Sequence, residues 1–531
     1  MRRKIIISLS FLAMLAAAPA TLQISKQTTF IISPLYPDGT PDYVGALNNI
    51  GSQGVTAENN AAVALLRLEI STSDQSDAKK SLEALNLPDK QNTALSWEDT
   101  TDFYKEHLSQ EYADQKVSKD LLPGWNQNLP NSPAELFESA ETQFAQHHPW
   151  TPDKCVMLYA YLLKIGPALD ALQQASKLSK FYAPLADGES FATVIQSILA
   201  WQIDAEKFYD PLVWRATLDL GQGDIAGCEQ NLLAIHRYAR LVAAQPDNPL
   251  SYMTAFQIES IATSGDRVLL TDPSLTAKQA LDYFKTLESL GPLPSAWQAV
   301  NIGVRIPILD VVCSFYRNAS GIGSPKPIPD ALSGPPFSDL AKITTGVDWN
   351  DVFHRTNQIF DVLSDYFRYP SDSDQSRQAQ TAYDKLEKRA ENFDPDAASS
   401  TDDKLVWGIL TGLNILGKDN VVTGFHGLEL YGEQIDQLSQ IGLALAAYHA
   451  QHGQYPATLD ALCPEYFAQV PANLFSSRPL VYTPTGDGYK LVARLDADQT
   501  EMISGMGSPE LDLLTIQVPT PAQTWENDSL P

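Results

Sequence analysis

The sequence predicts a mainly α protein: a helical hairpin bundle or irregular solenoid that ends in a small α+β module. Three observations carry this. Apolar residues recur at helical spacing through most of the chain, as at Ala61, Ala62, Leu65, Leu66 and Leu68. Glycine, proline and capping residues punctuate these stripes where helices, not strands, would end, as at Leu220-Gly221-Gln222-Gly223-Asp224 and Gly291-Pro292. Only near the C-terminus do two β-rich runs, Leu480-Val481-Tyr482-Thr483 and Tyr489-Lys490-Leu491-Val492, flank a Thr485-Gly486-Asp487-Gly488 turn as a hairpin.

With 531 residues the chain is long for one core, so two or three domains are expected. A 44% hydrophobic content is enough to bury a large core and argues against wholesale disorder. The formal charge is −27, from 64 acidic and 37 basic residues, and such a surface repels phosphate backbones, which argues against nucleic-acid binding.

The first residues set the expected compartment. Met1-Arg2-Arg3-Lys4 is basic, Ile5 to Ala18 is apolar, and Ala18-Pro19-Ala20 places small residues at a cleavage site. This is the pattern of a signal peptide cleaved after Ala20, with export to the periplasm or cell envelope; an uncleaved N-terminal anchor is the alternative. No later stretch reads as a span, so membrane contact is expected only through that segment. Cys155, Cys228, Cys313 and Cys463 lie far apart without C-x-x-C spacing, which excludes zinc and thioredoxin-type readings. Export permits disulfides, and three pairings or four buried thiols remain open.

The expected organisation is a signal peptide (1–20), an extended leader (21–55), a helical domain (56–320), a Pro/Gly-rich linker or loop (321–347), a helical continuation (348–430), an α+β module (431–520) and a tail (521–531). Within it, Thr151-Pro152 reads as an N-cap with proline at N1, opening a long helical pattern that ends at Leu220-Gly221. Asp224 caps the next helix, which runs to Ala244, so the two form an antiparallel hairpin. Thr276 and Gln279 form a capping box, and the helix behind them stops at Gly291-Pro292. Asp348 opens a helix with Trp349, Val352, Phe353, Ile359, Phe360, Leu363 and Phe367 on its apolar face, closed by Pro370. A polar helix covers 375–391. Ile435 to His452 is a helix ended by Gly453, and Leu513 to Val518 supplies a third strand.

The run Ala447-Tyr448-His449-Ala450-Gln451-His452-Gly453-Gln454-Tyr455-Pro456, then Leu459-Asp460-Ala461-Leu462, Val470-Pro471, Pro479-Leu480-Val481-Tyr482 and Gly486-Asp487-Gly488-Tyr489, resembles the soluble part of type II secretion major pseudopilins. More closely it resembles the end of a family of uncharacterised exported bacterial proteins with long helical N-terminal regions. Leu220 to Asp224, Leu232-Leu233, Arg237-Tyr238-Ala239-Arg240 and Val347-Asp348-Trp349 fit the same family, and the resemblance covers residues 56–495. It implies a pseudopilin-like C-terminal module and no activity, because its motifs are caps, turns and apolar stripes. Pseudopilins can bind calcium in this region; Asn473-Leu474-Phe475 stands where the family reads Asp-Pro-Phe, so an acidic residue is missing. The module also lies about 430 residues from the leader, so it cannot polymerise as a pseudopilin does.

Five places in the chain carry residue types that could support chemistry. Gly412 to Gly417-Lys418 fits G-x-x-x-x-G-K, but Asp419 replaces the hydroxyl that holds Mg²⁺, so a helix ending at Gly417 is expected. His449 and His452 share a helix face without a third ligand and read as a solvated helix end. His147-His148 follow Glu138 and Glu141, but adjacent histidines rarely share an ion. Asp372 with Asp374, and Asp496 with Asp498 and Glu501, lack the ligands of a calcium loop and read as solvated loops. No G-x-S-x-G, H-E-x-x-H or S-x-x-K constellation occurs. The sequence thus assigns no catalytic, cofactor or metal residue. It points to a non-enzymatic scaffold or binding protein of the cell envelope that holds an envelope protein or peptide segment. An exported hydrolase with a carboxylate site and an accessory factor of a secretion or pilus system are the alternatives.

Overall fold

The computed structural model describes residues 21–70, 76–87, 97–108, 133–185, 195, 205–322, 337–343, 345–369, 373–417, 420–476, 478–495 and 514–519. Its first helices are α1 (Tyr43–Gly51), α2 (Ala62–Glu69), α3 (Ser76–Ala84), α4 (Thr100–His107), α5 (Pro133–His147) and α6 (Val156–Ala175). The central group is α7 (Ala205–Gly221), α8 (Ile225–Ala243), α9 (Pro249–Leu269) and α10 (Ala277–Leu290). A π-helical stretch, Ala299–Val304, runs into α11 (Arg305–Ser320). Then come α12 (Phe337–Leu340), α13 (Trp349–Tyr366), α14 (Asp374–Glu391), α15 (Thr401–Gly412) and α16 (Val421–His452). Strands β1 (Val481–Pro484), β2 (Tyr489–Val492) and β3 (Thr515–Val518) form one antiparallel sheet in that order, with Pro484 opposite Tyr489 and Tyr489 opposite Val518. The fold is mainly α, as the sequence predicts.

The local signals explain the central hairpins. The Asp224 carboxylate accepts from Gly227 N and opens α8 one short turn after α7, so the two helices reverse on each other. Asn248 caps α9 through Leu250 N and Ser251 N, with Pro249 at N1. The Thr276–Gln279 capping box and the Gly291 stop bound α10 as expected. The α8–α9 hairpin is buried on most sides, with Leu232, Ile235, Tyr238, Ala239 and Val242 on α8 and Tyr252, Ala255, Ile258 and Ala262 on α9 all sealed. Asp348 opens α13, and its apolar face is buried as expected; Pro370 lies outside the described residues.

Several boundaries differ from expectation, each for a tertiary reason. The 21–55 segment is not an extended leader: α1 buries Tyr43, Val44 and Leu47 against α11. Asn357 Nδ2 donates to Thr28 O, and Arg317 pairs with Asp38 at 2.8 Å. Thr151 does not cap a helix; its hydroxyl donates to Asp153, and α6 starts at Val156. What receives the first N–H groups of α6 is the Glu141 carboxylate from α5, accepting from Leu158 N at 2.8 Å and Met157 N at 3.4 Å. The long helical pattern up to Gly221 is broken after Ala175. There Lys180 exchanges backbone hydrogen bonds with Asn59 and Ala61, and both polar atoms of Asn60 bind the Tyr182 backbone.

The helix expected at Ile435 starts at Val421, capped by Asn420. The boundary expected at 430/431 therefore falls within one continuous helix. Residues 337–340 of the expected linker form α12, which packs on α15. The segment Ala299–Ser320, which reads as no span in sequence, is one helix long and apolar enough to cross a membrane; most of it is buried inside the protein.

Helix α16 joins the central hairpins to the C-terminal sheet. It lies on α9 and α10, and Gly432 permits the approach: a Cβ there would sit 2.5 Å from the Phe256 ring. Farther along, Gly442 faces Leu270, Tyr489 and Ile516, so the sheet packs on the same helix. Phe284 and Phe467 meet edge to face across this junction, 5.5 Å apart. The C-terminal module is thus packed on the helical hairpins and does not swing free.

Candidate functional site: a sealed charge cluster and an open groove

The residues that stand out in the sequence are not brought together. His449 stacks on Tyr455, while His452 stacks on Tyr448 and its Nδ1 faces Tyr448 O, so both rings finish the end of α16. Glu138 accepts from Thr101, and Glu141 accepts from Tyr104 OH and caps α6; neither turns to His147. Burial, then the neighbouring His148, lowers the pKa of His147. Helix α15 ends at Gly412, not at Gly417, because the chain turns at Asn414, whose φ is +53°; Lys418 and Asp419 lie outside the described residues. Asp374 pairs with Arg377 within α14. Asp372, Asp496, Asp498 and Glu501 lie outside the described residues, as do 1–20 and 521–531. Among the described residues no group of His, Cys, Asp or Glu is arranged to hold a metal ion. Asn473 closes a turn by accepting from Phe475 N and donates to Arg494 O. All four cysteines are free thiols, three of them buried.

The concentration of charge lies elsewhere, between α8, α9 and α16. His236 is fully buried, with Nδ1 3.0 Å from Glu259 Oε1 and Nε2 3.2 Å from Asp266 Oδ2. Both ring nitrogens therefore face carboxylates, the arrangement of an imidazolium donating twice. Burial alone would neutralise the ring; the charges of Glu259 and Asp266 outweigh it and raise its pKa to about 10. Arg240, one turn on, grips Glu259 at 3.0 and 3.2 Å and donates to Gly291 O at 2.8 Å. Burial opposes ionisation of Glu259, but Arg240 and then His236 hold its pKa down to about 2. Tyr283 of α10 donates to Asp266 at 2.6 Å. Asp436 of α16 completes the cluster, 3.7 Å from Arg240. Burial first, then repulsion by Glu259, raises its pKa to about 7, against the pull of Arg240.

The sequence held one trace of this cluster. His236 and Arg240 are four apart, and Glu259 and Asp266 seven apart, so each pair shares a helix face, and both faces are otherwise apolar. Charges placed on a core stripe signal partners across the core. That Asp436 is one of them is a matter of tertiary packing.

Another buried carboxylate, outside the cluster, sits in the loop between α8 and α9. Asp247 is sealed, with Oδ2 3.5 Å from Gln245 Nε2 and no hydrogen-bond partner for Oδ1. Burial raises its pKa from 3.8 to about 7. The fold therefore holds a proton here that the unfolded chain releases above about pH 4. Stability is expected to fall through this acid-to-neutral window by about 1.4 kcal/mol per pH unit for this group, and to level off above it. Asp247→Asn is expected to remove one proton's share of that slope in urea titrations; an unchanged slope would rule the sealed carboxyl out as its source.

Capping by Glu141 is also testable. Glu141→Ala leaves the Leu158 N–H and the sealed Tyr104 hydroxyl without their acceptor, and is expected to cost about 1–3 kcal/mol in chemical denaturation. Glu141→Gln, which keeps one acceptor oxygen, is expected to lose less.

Among the described residues, one open groove lies between α13 and α14, lined by Val362, Arg377, Thr381 and Leu386, and another on the C-terminal module. The latter, of about 580 Å³, is lined by Thr458, Asp460, Ala472, Ser476, Arg478 and, from β1, Tyr482. Among the described residues β1 is paired on one side only, to β2. Tyr482 OH donates to Pro456 O and fixes the floor of the groove to the segment that follows α16. No family model, no curated protein and no solved structure matches the chain.

Proposed function

We propose that this chain is a non-enzymatic binding protein or scaffold of the cell envelope, holding an extended segment of an envelope partner in the groove of its C-terminal module. The observation that carries this reading is the groove beside the half-paired edge strand β1. An extended segment gains main-chain hydrogen bonds from such an edge, and Asp460 and Arg478 at the rim select its register by charge. The charge cluster supports the non-enzymatic half of the reading. His236, Glu259 and Asp266 are sealed, and their hydrogen-bonding atoms are turned on one another, as in a structural network.

Export and the signal peptide of residues 1–20 belong to the same proposal, on the basic-apolar-small pattern of those residues. The test is photo-crosslinking in intact cells from a probe placed at Ser476, followed by purification from the envelope fraction. The expected product is a stoichiometric adduct with one envelope protein, lost when the probe is moved to the exposed end of α14. Recovery of the uncrosslinked chain alone would overturn the reading.

A further inference from the structure

We propose that Asp436 is a proton-operated latch between α16 and the α8–α9 hairpin, closed when its carboxyl carries a proton and loosened when it ionises. The argument starts from the groups that surround it. From α8 it faces His236 and Arg240; from α9, Glu259 and Asp266. From α10, Tyr283 reaches the same cluster through Asp266. On its own helix Glu433 lies one turn back and Gln440 one turn on, and Gln440 donates to Asp436 Oδ2 at 3.2 Å. Tyr489 of β2 lies farther along the helix, at Gly442.

Two cations and two carboxylates balance without Asp436. Arg240 is committed through Nε to Gly291 O and through Nη1 to Glu259; its Nη2, which has no hydrogen-bond partner, is the one cationic atom turned to Asp436 and stays 3.7 Å from Oδ2, too far for a hydrogen bond. Asp436 Oδ1 is buried and has no hydrogen-bond partner. An ionised Asp436 would add an uncompensated negative charge to a closed cluster, with one of its oxygens unsatisfied. A protonated Asp436 leaves the cluster neutral. The docked helix therefore favours the proton, which is why the pKa stands near 7, whereas a helix lifted into water would release it. Because the sheet packs on the same helix at Gly442, the latch also governs how firmly the C-terminal module is held.

The inference stands apart from the proposed function, since it concerns the seam and not the groove. The experiment is hydrogen exchange of the full chain, read over the α16 amides from about pH 5 to about pH 7 and corrected for intrinsic exchange. The opening constant is expected to rise up to roughly tenfold per pH unit across this window, and to lose that rise in Asp436→Asn and Asp436→Ser. An equal slope in the native chain and both variants would overturn the latch. Failure of both neutral variants to fold would overturn it too, because the docked state is held to carry a neutral side chain here.

Discussion

Replacing His236 by leucine is expected to lower the free energy of unfolding by about 3–5 kcal/mol at neutral pH, because it leaves the sealed Asp266 without its cation and Glu259 with Arg240 alone. The sign follows from the direction of the shift. The pKa of His236 rises from 6.5 in the unfolded chain to about 10 in the fold, so its stabilisation is complete below about pH 6.5. It is lost as pH climbs from there through about 10. The gap between native protein and His236→Leu is therefore expected to narrow in alkaline urea titrations. A cost below about 1 kcal/mol at neutral pH would contradict a charged histidine at this position. Glutamine at 236 can donate to one carboxylate but turns a carbonyl oxygen to the other, where the imidazolium donates to both, and is expected to fall between the two proteins.

Trp150→Ala is expected to cost about 3–5 kcal/mol, from the lost ring and the cavity it leaves. Trp150 is sealed between the end of α5 and α7. Its indole N–H donates to Trp214 O at 3.0 Å and lies 3.1 Å from the Thr217 hydroxyl, which in turn donates to Ala145 O. Its backbone fits so closely against Gly221 that a Cβ there would lie 1.8 Å from Trp150 O. The site therefore cannot collapse onto the missing ring without moving the end of α7. Trp150→Phe keeps most of the bulk and is expected to lose only part of this. Thermal unfolding of the two variants, compared with near-ultraviolet circular dichroism, separates a cavity from a displaced helix. Similar losses for alanine and phenylalanine would place the energy in the hydrogen bonds instead of the ring.

What could be read from the sequence divides by the range of the interactions. Asp224, Asn248, Thr276 and Asp348 act on N–H groups two or three residues away, and of these the Asp224, Thr276 and Asp348 caps were legible. The hairpin around Gly486-Asp487-Gly488 was legible for the same reason. The start of α16 was not. Gly424, Gly427 and Gly432 look like breaks in a helix, but Gly432 is where the Phe256 ring approaches the backbone from another element. Glu141 stands near two histidines in the sequence, where a metal ligand would, yet it caps a helix that starts 15 residues later. The charge cluster was missed because each of its residues is unremarkable alone; its chemistry arises when α16 closes over α8 and α9. The groove was missed because it is formed by loops, whose placement rests on the sheet they flank.

The order in which the chain is made gives α16 a further consequence. The α8–α9 hairpin is complete at Leu269, but the helix that covers it begins at Val421, so more than a hundred residues must be added before its seam can close. During that interval the Phe256 ring and the Arg240–Glu259 pair face solvent or a chaperone, and contacts this distant in sequence form late. A nascent chain cut short before Asn420 would leave both without their cover. The stripe of the hairpin that α16 covers is therefore the part of this seam completed last in the order of the chain.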